Sequence, residues 1–273
     1  MIPRGAPGAL TLSSLIYYPI KACRGVEADT AFVERMGLRD DRRMMVVTPQ
    51  GRFLTQRQCP RLALVAPSLE GGSLTLSAPG LDSFSLPIRE TGAPRPVDIW
   101  RTRGVPSIDQ GDDVADWFSA CLGAPVRLVR LMEGAVRRVS SEYAVNADDH
   151  TGFADGYPVL LASQASLGDL NERLETPVPM NRFRPNLVIG GCAPYAEDTW
   201  NRIRVGPVEL AVVKPCARCV VTTIDKETLE QTKEPLKTLA AYRRHPLGAI
   251  FGQNAIPLSE GGLALGMPVE VLS

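Results

Sequence analysis

Glycine and proline cut this chain into short pieces. There are 24 Gly and 23 Pro in 273 residues, and the stretches between them are rich in β-branched and apolar residues. Turn signals at that density predict a β-rich fold. Strands are expected in "TLSSLIYYPI", "RRMMVV", "RFLTQR", "LALVAPSL", "SLTLSA" and "PVDIW". Further strands are expected in "VRLVRL", "YPVLLA", "RPNLVIGG", "NRIRVG", "VELAVVK", "VVTTID", "GAIFGQNAI" and "MPVEVL". "TPQG" should turn the second into the third, and Glu70-Gly71-Gly72 should join "LALVAPSL" to "SLTLSA" as a hairpin.

Three segments carry helical spacing instead. In "DDVADWFSACLG", Val114, Trp117, Phe118, Cys121 and Leu122 share a face, and Gly123 suits the C-terminus. In "SQASLGDLNERL", Leu167, Leu170 and Leu174 align behind a capping Ser163. "EPLKTLAAYRRH" has Pro235 at its entry and basic residues in its last turn. The fold class expected is mainly β with α/β elements. A boundary beside the first helix would divide a strand-dominated, barrel-like domain (10–124) from a second β-barrel with peripheral helices (125–273). The opening nine residues read as a tail.

Bulk composition excludes several functions. Thirty Lys and Arg balance thirty Asp and Glu, so nothing global calls for nucleic acid or an anionic membrane. No apolar run is long enough to span a bilayer, and the N-terminus lacks the apolar stretch of a signal peptide. A cytoplasmic location is the expectation. Six cysteines are too sparse for a disulfide scaffold, which predicts reduced thiols. Two histidines leave little for a His-rich metal site or a triad.

The chemistry concentrates in "KPCARCVVTTID", residues 214–225. Cys216-x-x-Cys219 admits four readings: half a zinc site, a redox dithiol, two inert cysteines, or one reactive sulfur. Zinc lacks a second pair. A dithiol of the thioredoxin type wants a helix N-terminus, and these cysteines lie between β-patterned segments. Lys214 and Arg218 flank the pair, and cations favour the thiolate that binds a soft metal. In "NRFRPNLVI", Arg182 and Arg184 alternate on one face of an expected strand, ahead of Asn186, a pattern that can grip phosphate or merely face solvent. Lys21 and Arg24, Arg42 and Arg43, and Arg57 and Arg61 add cations near other strand ends. Each pair alone is weak, because basic residues also protect strand edges. Together they suggest a local site for an anion. "ADGYPVLLAS" places Asp155 and Tyr157 beside an apolar strand.

In this order, "YYPIKACRGV", "MGLRDDRRMMVV", "FLTQRQCPRL", "ASQASLGDLNERL", "NRFRPNLVI", "YAEDTW" and "KPCARCVVTTID" resemble the MOSC family (molybdenum cofactor sulfurase C-terminal domain) preceded by its N-terminal β-barrel domain. The similarity is to the branch of amidoxime-reducing components and their bacterial homologues without a ferredoxin domain. It implies a molybdenum–molybdopterin cofactor between two β domains, with Cys219 as the metal ligand and Cys216 a neighbour. It implies cofactor contacts at Lys21, Ala22, Arg42, Arg57, Tyr157, Arg184, Asn186, Ala217 and Arg218. The family often has serine at the positions of Ala22 and Ala217, so two hydroxyls are missing, although backbone N–H groups there can still bind an anion. The activity implied is reduction of small N-hydroxylated or N-oxide compounds, with Asp155 or a water relaying protons. Electrons would come from a separate cytochrome b5-type or ferredoxin-type protein with its reductase, since the chain has no cysteine set for an iron–sulfur cluster. Two rival readings are a persulfide carrier acting through Cys219 and a non-enzymatic anion-binding β protein.

Overall fold

The structure, a computed structural model, describes residues 9–273. The tail expected over the first nine residues therefore lies, apart from Ala9, outside the described residues. The chain is mainly β, and its largest sheet has nine strands. In spatial order they run Val26–Glu27, Thr11–Tyr17, Leu187–Gly190, Val159–Ser163, Gly248–Pro257, Val208–Ala217, Arg202–Val205 and Val269–Val271, with Arg244–His245 folded back on Gly248–Pro257. The last of these strands returns to Thr11–Tyr17. Leu12 N donates to Met267 O and Val269 N to Leu10 O, both at 2.9 Å, and this closes a barrel. Inward residues alternate along Leu187–Gly190, Arg202–Val205 and Val208–Ala217, and a register shift after Leu12 brings Leu15 inward as well, so Leu12, Leu15, Leu161, Leu187, Ile189, Ile203, Val205, Val208 and Leu210 fill one core.

Among the described residues, the one parallel pairing in the barrel joins Val159–Ser163 to Leu187–Gly190. A parallel pair needs a crossover, and the helix Gln164–Glu172 supplies it. Ser163 caps that helix by accepting from Ser166 N, as its position predicts.

A second set of strands packs beside the barrel. Met44–Val47 pairs with Arg127–Leu131, which pairs in turn with Ser107–Asp109. All four residues of Met44–Val47 are buried. Met44 and Val46 face the core under the helix Asp112–Leu122, while Met45 and Val47 face a second core around Ile99 and Phe153. A strand covered on both faces reads as an unbroken apolar run. Gly123 ends the helix at φ 72° with its N–H on Ser119 O. A meander of Ala66–Glu70, Ser73–Ala78 and Leu81–Pro87 covers the helix's other flank, with the expected hairpin at Gly71-Gly72.

Strand pairing crosses residue 124 in both directions. Thr11–Tyr17 belongs to the barrel, and Arg127–Leu131 to the sheet of the N-terminal part. Gly261–Ala264 likewise pairs with Thr30–Glu34. The two halves are interlaced, and the seam between them collects side chains from both.

Three local expectations are corrected. "VVTTID" is not a strand: Val220–Thr223 is a 3-10 turn, because the Thr222 and Thr223 hydroxyls donate back to Cys219 O and Val220 O at 2.9 and 2.8 Å. "NRFR" is not one either. Met180–Arg182 is a 3-10 turn, and Arg184, disfavoured from the right-handed helical region by Pro185, sits at φ 57°. "RFLTQR" makes only isolated bridges, at Arg52 and Phe53.

Candidate functional site

The seam opens into a cleft whose space, open solvent included, is about 950 Å³. Lys21, Ala22 and Arg42 reach it from the N-terminal part, with Arg57 on the following loop. Asp155, Tyr157, Arg184 and Asn186 reach it from the barrel side, and Cys216, Ala217, Arg218 and Cys219 complete it. Every residue that the resemblance assigned to the site therefore lines one space, whereas of the other strand-end cations Arg24, Arg43 and Arg61 do not, Arg24 pairing with Glu227 and Arg43 with Glu34. The cysteine segment enters because Val208–Ala217 slips register twice against Gly248–Pro257, between Val212 and Lys214 and between Pro215 and Ala217. Such bulges re-aim side chains. Cys219 follows in extended conformation and begins the turn Val220–Thr223.

The two thiols are held differently. Arg218 Nη1 donates to Cys216 Sγ at 2.8 Å, and its Nη2 to Phe183 O at 2.7 Å. Arg218 Nε is buried without a partner among the described residues. Cys219 is half-buried on the cavity wall, and its sulfur takes no such guanidinium. Nowhere among the described residues do three His, Cys, Asp or Glu side chains gather as a metal cage. A metal at Cys219 would have to bring most of its own ligands.

The cations sort into paired and unpaired. Lys21 is buried, its ammonium donating to Phe153 O at 2.8 Å and forming an ion pair with Asp155. Desolvation alone would raise the Asp155 carboxyl. The Lys21 ammonium and the Trp100 N–H, 3.2 Å away, overcome it and hold the group well below the usual carboxylate range. Arg42 pairs with Asp41 at 2.5 Å and donates to Asn186 Oδ1 at 2.9 Å. Arg57, Arg184 and Arg218 have no carboxylate partner among the described residues. Arg184 donates to Cys23 O at 2.6 Å and lies 4.1 Å from the Tyr18 ring centroid, with Arg42 at 4.2 Å from the same ring. A desolvated guanidinium without a counter-ion is costly. Two such groups at one cavity, Arg184 and Arg218, with an orphaned N–H and the exposed Arg57 beside them, fit an anionic ligand. Arg182, by contrast, is spent inside the protein on Asp225 at 2.7 Å.

Asn186 is placed differently from the expectation of a free ligand contact. Its Nδ2 donates to Ile16 O and Asp41 Oδ1, both at 3.1 Å, and its Oδ1 accepts from Arg42 and from Leu160 N. That is the full capacity of the amide. It holds Arg42 rather than a ligand.

Backbone strain gathers here too. Seven non-glycine residues have positive φ among the described residues, and Ala22, Arg42, Trp100 and Arg184 of these line the cavity. Strain concentrated at one site is an independent mark of function. Gly152 makes part of the wall possible, since a Cβ there would lie 2.8 Å from Arg42 O. Only glycine allows the 153–157 loop so close.

Three residues escaped the sequence reading: Gln56, Trp100 and Lys226. Lys226 is buried, with its amine donating to Gln56 Oε1 at 2.7 Å and Val221 O at 2.8 Å. It ties the 55–57 loop to the turn after Cys219. A lone lysine after "TTID" carries no pattern that announces this. Burial, reinforced by Arg184 and Arg182, pushes its ammonium down to about 7. The unfolded chain binds this proton up to the ordinary lysine range and the folded chain does not. Below pH 7 burial carries its full penalty, and the penalty is relieved as pH rises from about 7 towards the unfolded value. The stability of the native chain relative to Lys226→Met should thus increase across that window. Urea unfolding at a series of pH values reads it, and a pH-independent difference would refute it.

Comparison with known proteins agrees with this geometry. The model of the MOSC N-terminal beta barrel domain matches residues 9–125, and that of the MOSC domain matches 148–270. The chain is 39% identical to bovine mitochondrial amidoxime reducing component 2 over 243 residues, covering 85% of this chain and 72% of that protein. It is 37% identical to the human mitochondrial amidoxime-reducing component 1 over 280 residues, covering 96% and 83%. The mouse component 1 is 38% identical over 280 residues, covering 96% and 82%. An interlaced pair of β units, matched over 85–96% of the chain by these relatives and meeting at one cysteine-bearing basic cavity, makes this chain a member of the MOSC family.

Proposed function

We infer that this chain binds a molybdenum–pterin cofactor in the cavity and reduces N-hydroxylated compounds, as the names of its relatives suggest. One observation carries the reading: a cavity thiol, Cys219, shares its space with guanidinium groups that lack carboxylate partners. A phosphate-bearing cofactor would supply the missing anion, and would bring with its metal the ligands the chain does not provide. When bound, that group provides a two-electron reduction of an N–O bond. The overall change balances as R–NHOH with two electrons and two protons giving R–NH2 and water. The electrons come from a separate protein.

The chain's own residues bind and orient. Cys219 offers its sulfur to the metal, and thiolate suits a soft centre. Arg184, Arg218 and Arg57, which line the cavity, would hold the cofactor's negative charge. Arg42 is aimed by Asp41 and Asn186. Asp155 is held ionised, so it fixes Lys21 and can accept a hydrogen bond from a water that carries protons. It is not itself the acid at neutral pH. Ala22 and Ala217 line the wall without hydroxyls, leaving backbone groups for any contact there.

Arg184 separates this reading from metal-free sulfur transfer. With Arg184→Ala, molybdenum content after expression in a host that makes the cofactor should fall about tenfold or more, the scale of a charge-assisted contact. Arg184→Lys should recover part of it. Full occupancy in the alanine variant would remove the role, and native protein without any molybdenum would favour a persulfide on Cys219.

A further inference from the structure

Trp100 is an uncharged side chain set among the charged groups of the cavity, with Lys21 6.0 Å from its ring centroid. It follows the strand Val97–Ile99 and lines the cavity with 36% of its surface exposed. Its φ is 51°, a left-handed conformation that is a genuine outlier for a bulky residue. The indole is fixed from several directions. Its N–H is given to Asp155 at 3.2 Å, Phe53 lies against it with centroids 4.8 Å apart, and the Arg57 guanidinium carbon is 5.1 Å from the ring. Apolar burial would favour turning the ring inward. An exposed ring on a strained backbone persists only where the surroundings over-determine it.

The other aromatic side chains of the cavity are differently employed. Phe183 is fully buried and stacked on Phe251 at 3.9 Å. Tyr157 meets Tyr143 edge-on at 6.2 Å. The indole carries no charge, and its single donor is already used, so a cofactor phosphate gains nothing from it. A flat neutral ring does, through offset stacking.

We propose that Trp100 is the platform for the substrate, receiving an aromatic or heteroaromatic ring that bears the N-hydroxylated group, so that the chain prefers aryl over alkyl substrates. This rests on the N-reductive reading above.

The test compares holoenzyme of the native chain with Trp100→Ala and Trp100→Phe. Benzamidoxime and acetamidoxime serve as aryl and alkyl substrates, and molybdenum content is measured on each preparation. The aryl-to-alkyl ratio of kcat/KM should fall about fivefold in the alanine variant, mainly through KM for the aryl compound, and largely recover in the phenylalanine variant. Molybdenum content should stay level. Trp100→Gly, which suits the observed φ, replaces the alanine variant if that one folds poorly. An unchanged ratio, or a loss of molybdenum with the ratio kept, would overturn the proposal. Benzamidine binding, read by indole fluorescence, needs no turnover. Saturable quenching in the native protein that disappears in Trp100→Phe supports the platform even if neither amidoxime is reduced, an outcome that would sink only the N-reductive reading. Absent or unaltered quenching rules the platform out.

Discussion

Cys219→Ala should reduce N-hydroxylated substrates at a rate lower by about 100-fold or more, while the protein stays folded. Groups that merely hydrogen-bond a metal ligand cost roughly 10- to 100-fold when removed, so loss of the ligand itself should exceed that range. The fold has little at stake. Cys219 is half-buried and belongs to none of the hydrophobic cores. Its backbone carbonyl, which accepts from Thr222, is unaffected by the substitution. Thermal unfolding should therefore shift little, as for substitutions that leave no cavity or buried orphan. Cys216→Ser is the control. Its partner Arg218 can donate to a hydroxyl as it does to sulfur, so most of the rate should remain. A dead Cys216 variant beside an active Cys219 variant would reverse the assignment. An inactive Cys219 variant that is also unfolded would show the sulfur to be structural.

Much of this site was legible because its signals are local. Helical spacing over 112–122, the Ser163 cap and the Gly123 stop depend on neighbours a few residues away, and each formed where the pattern placed it. The apolar run "MMVV" announced a strand buried on both faces. What stayed hidden depends on distant partners. Closure of the barrel joins Leu10 and Leu12 to Met267 and Val269, and no short-range pattern encodes a pairing across that separation. Nor does charge content reveal which arginines lack a carboxylate: Arg182 and Arg184 look equivalent in "RFRP", yet one is neutralised by Asp225 and the other is not. "VVTTID" misled because β-branched residues give a strand pattern, whereas two hydroxyls bonding backward decide for a tight turn. Trp100, Gln56 and Lys226 are single residues on loops, and only the folded seam gives them a common address.

Asn186 offers the largest expected effect on stability. Its side chain is fully buried and joins three segments: Ile16 in the first barrel strand, Asp41 and Arg42 in the neighbouring loop, and Leu160 in a central strand. Asp41 is also buried, and accepts from Tyr18 N at 2.8 Å as well. Asn186→Ala removes all four bonds together and leaves the Ile16 carbonyl, the Leu160 amide and part of the Asp41–Arg42 pair short of partners. Each buried orphan costs about 1–3 kcal/mol, while the Asp41–Arg42 ion pair itself stays in place. Since these costs overlap, a total destabilisation of about 3–5 kcal/mol is expected. Urea unfolding should show a lower midpoint with an unchanged slope, which separates lost stability from a change in the surface exposed. The effect should appear in protein made without cofactor as well, because every bond concerned lies within the chain. A loss seen only in cofactor-loaded protein would mean that Asn186 contacts the ligand after all. A loss below about 1 kcal/mol in both forms would mean that water replaces the amide, and that Arg42 does not depend on Asn186 for its aim.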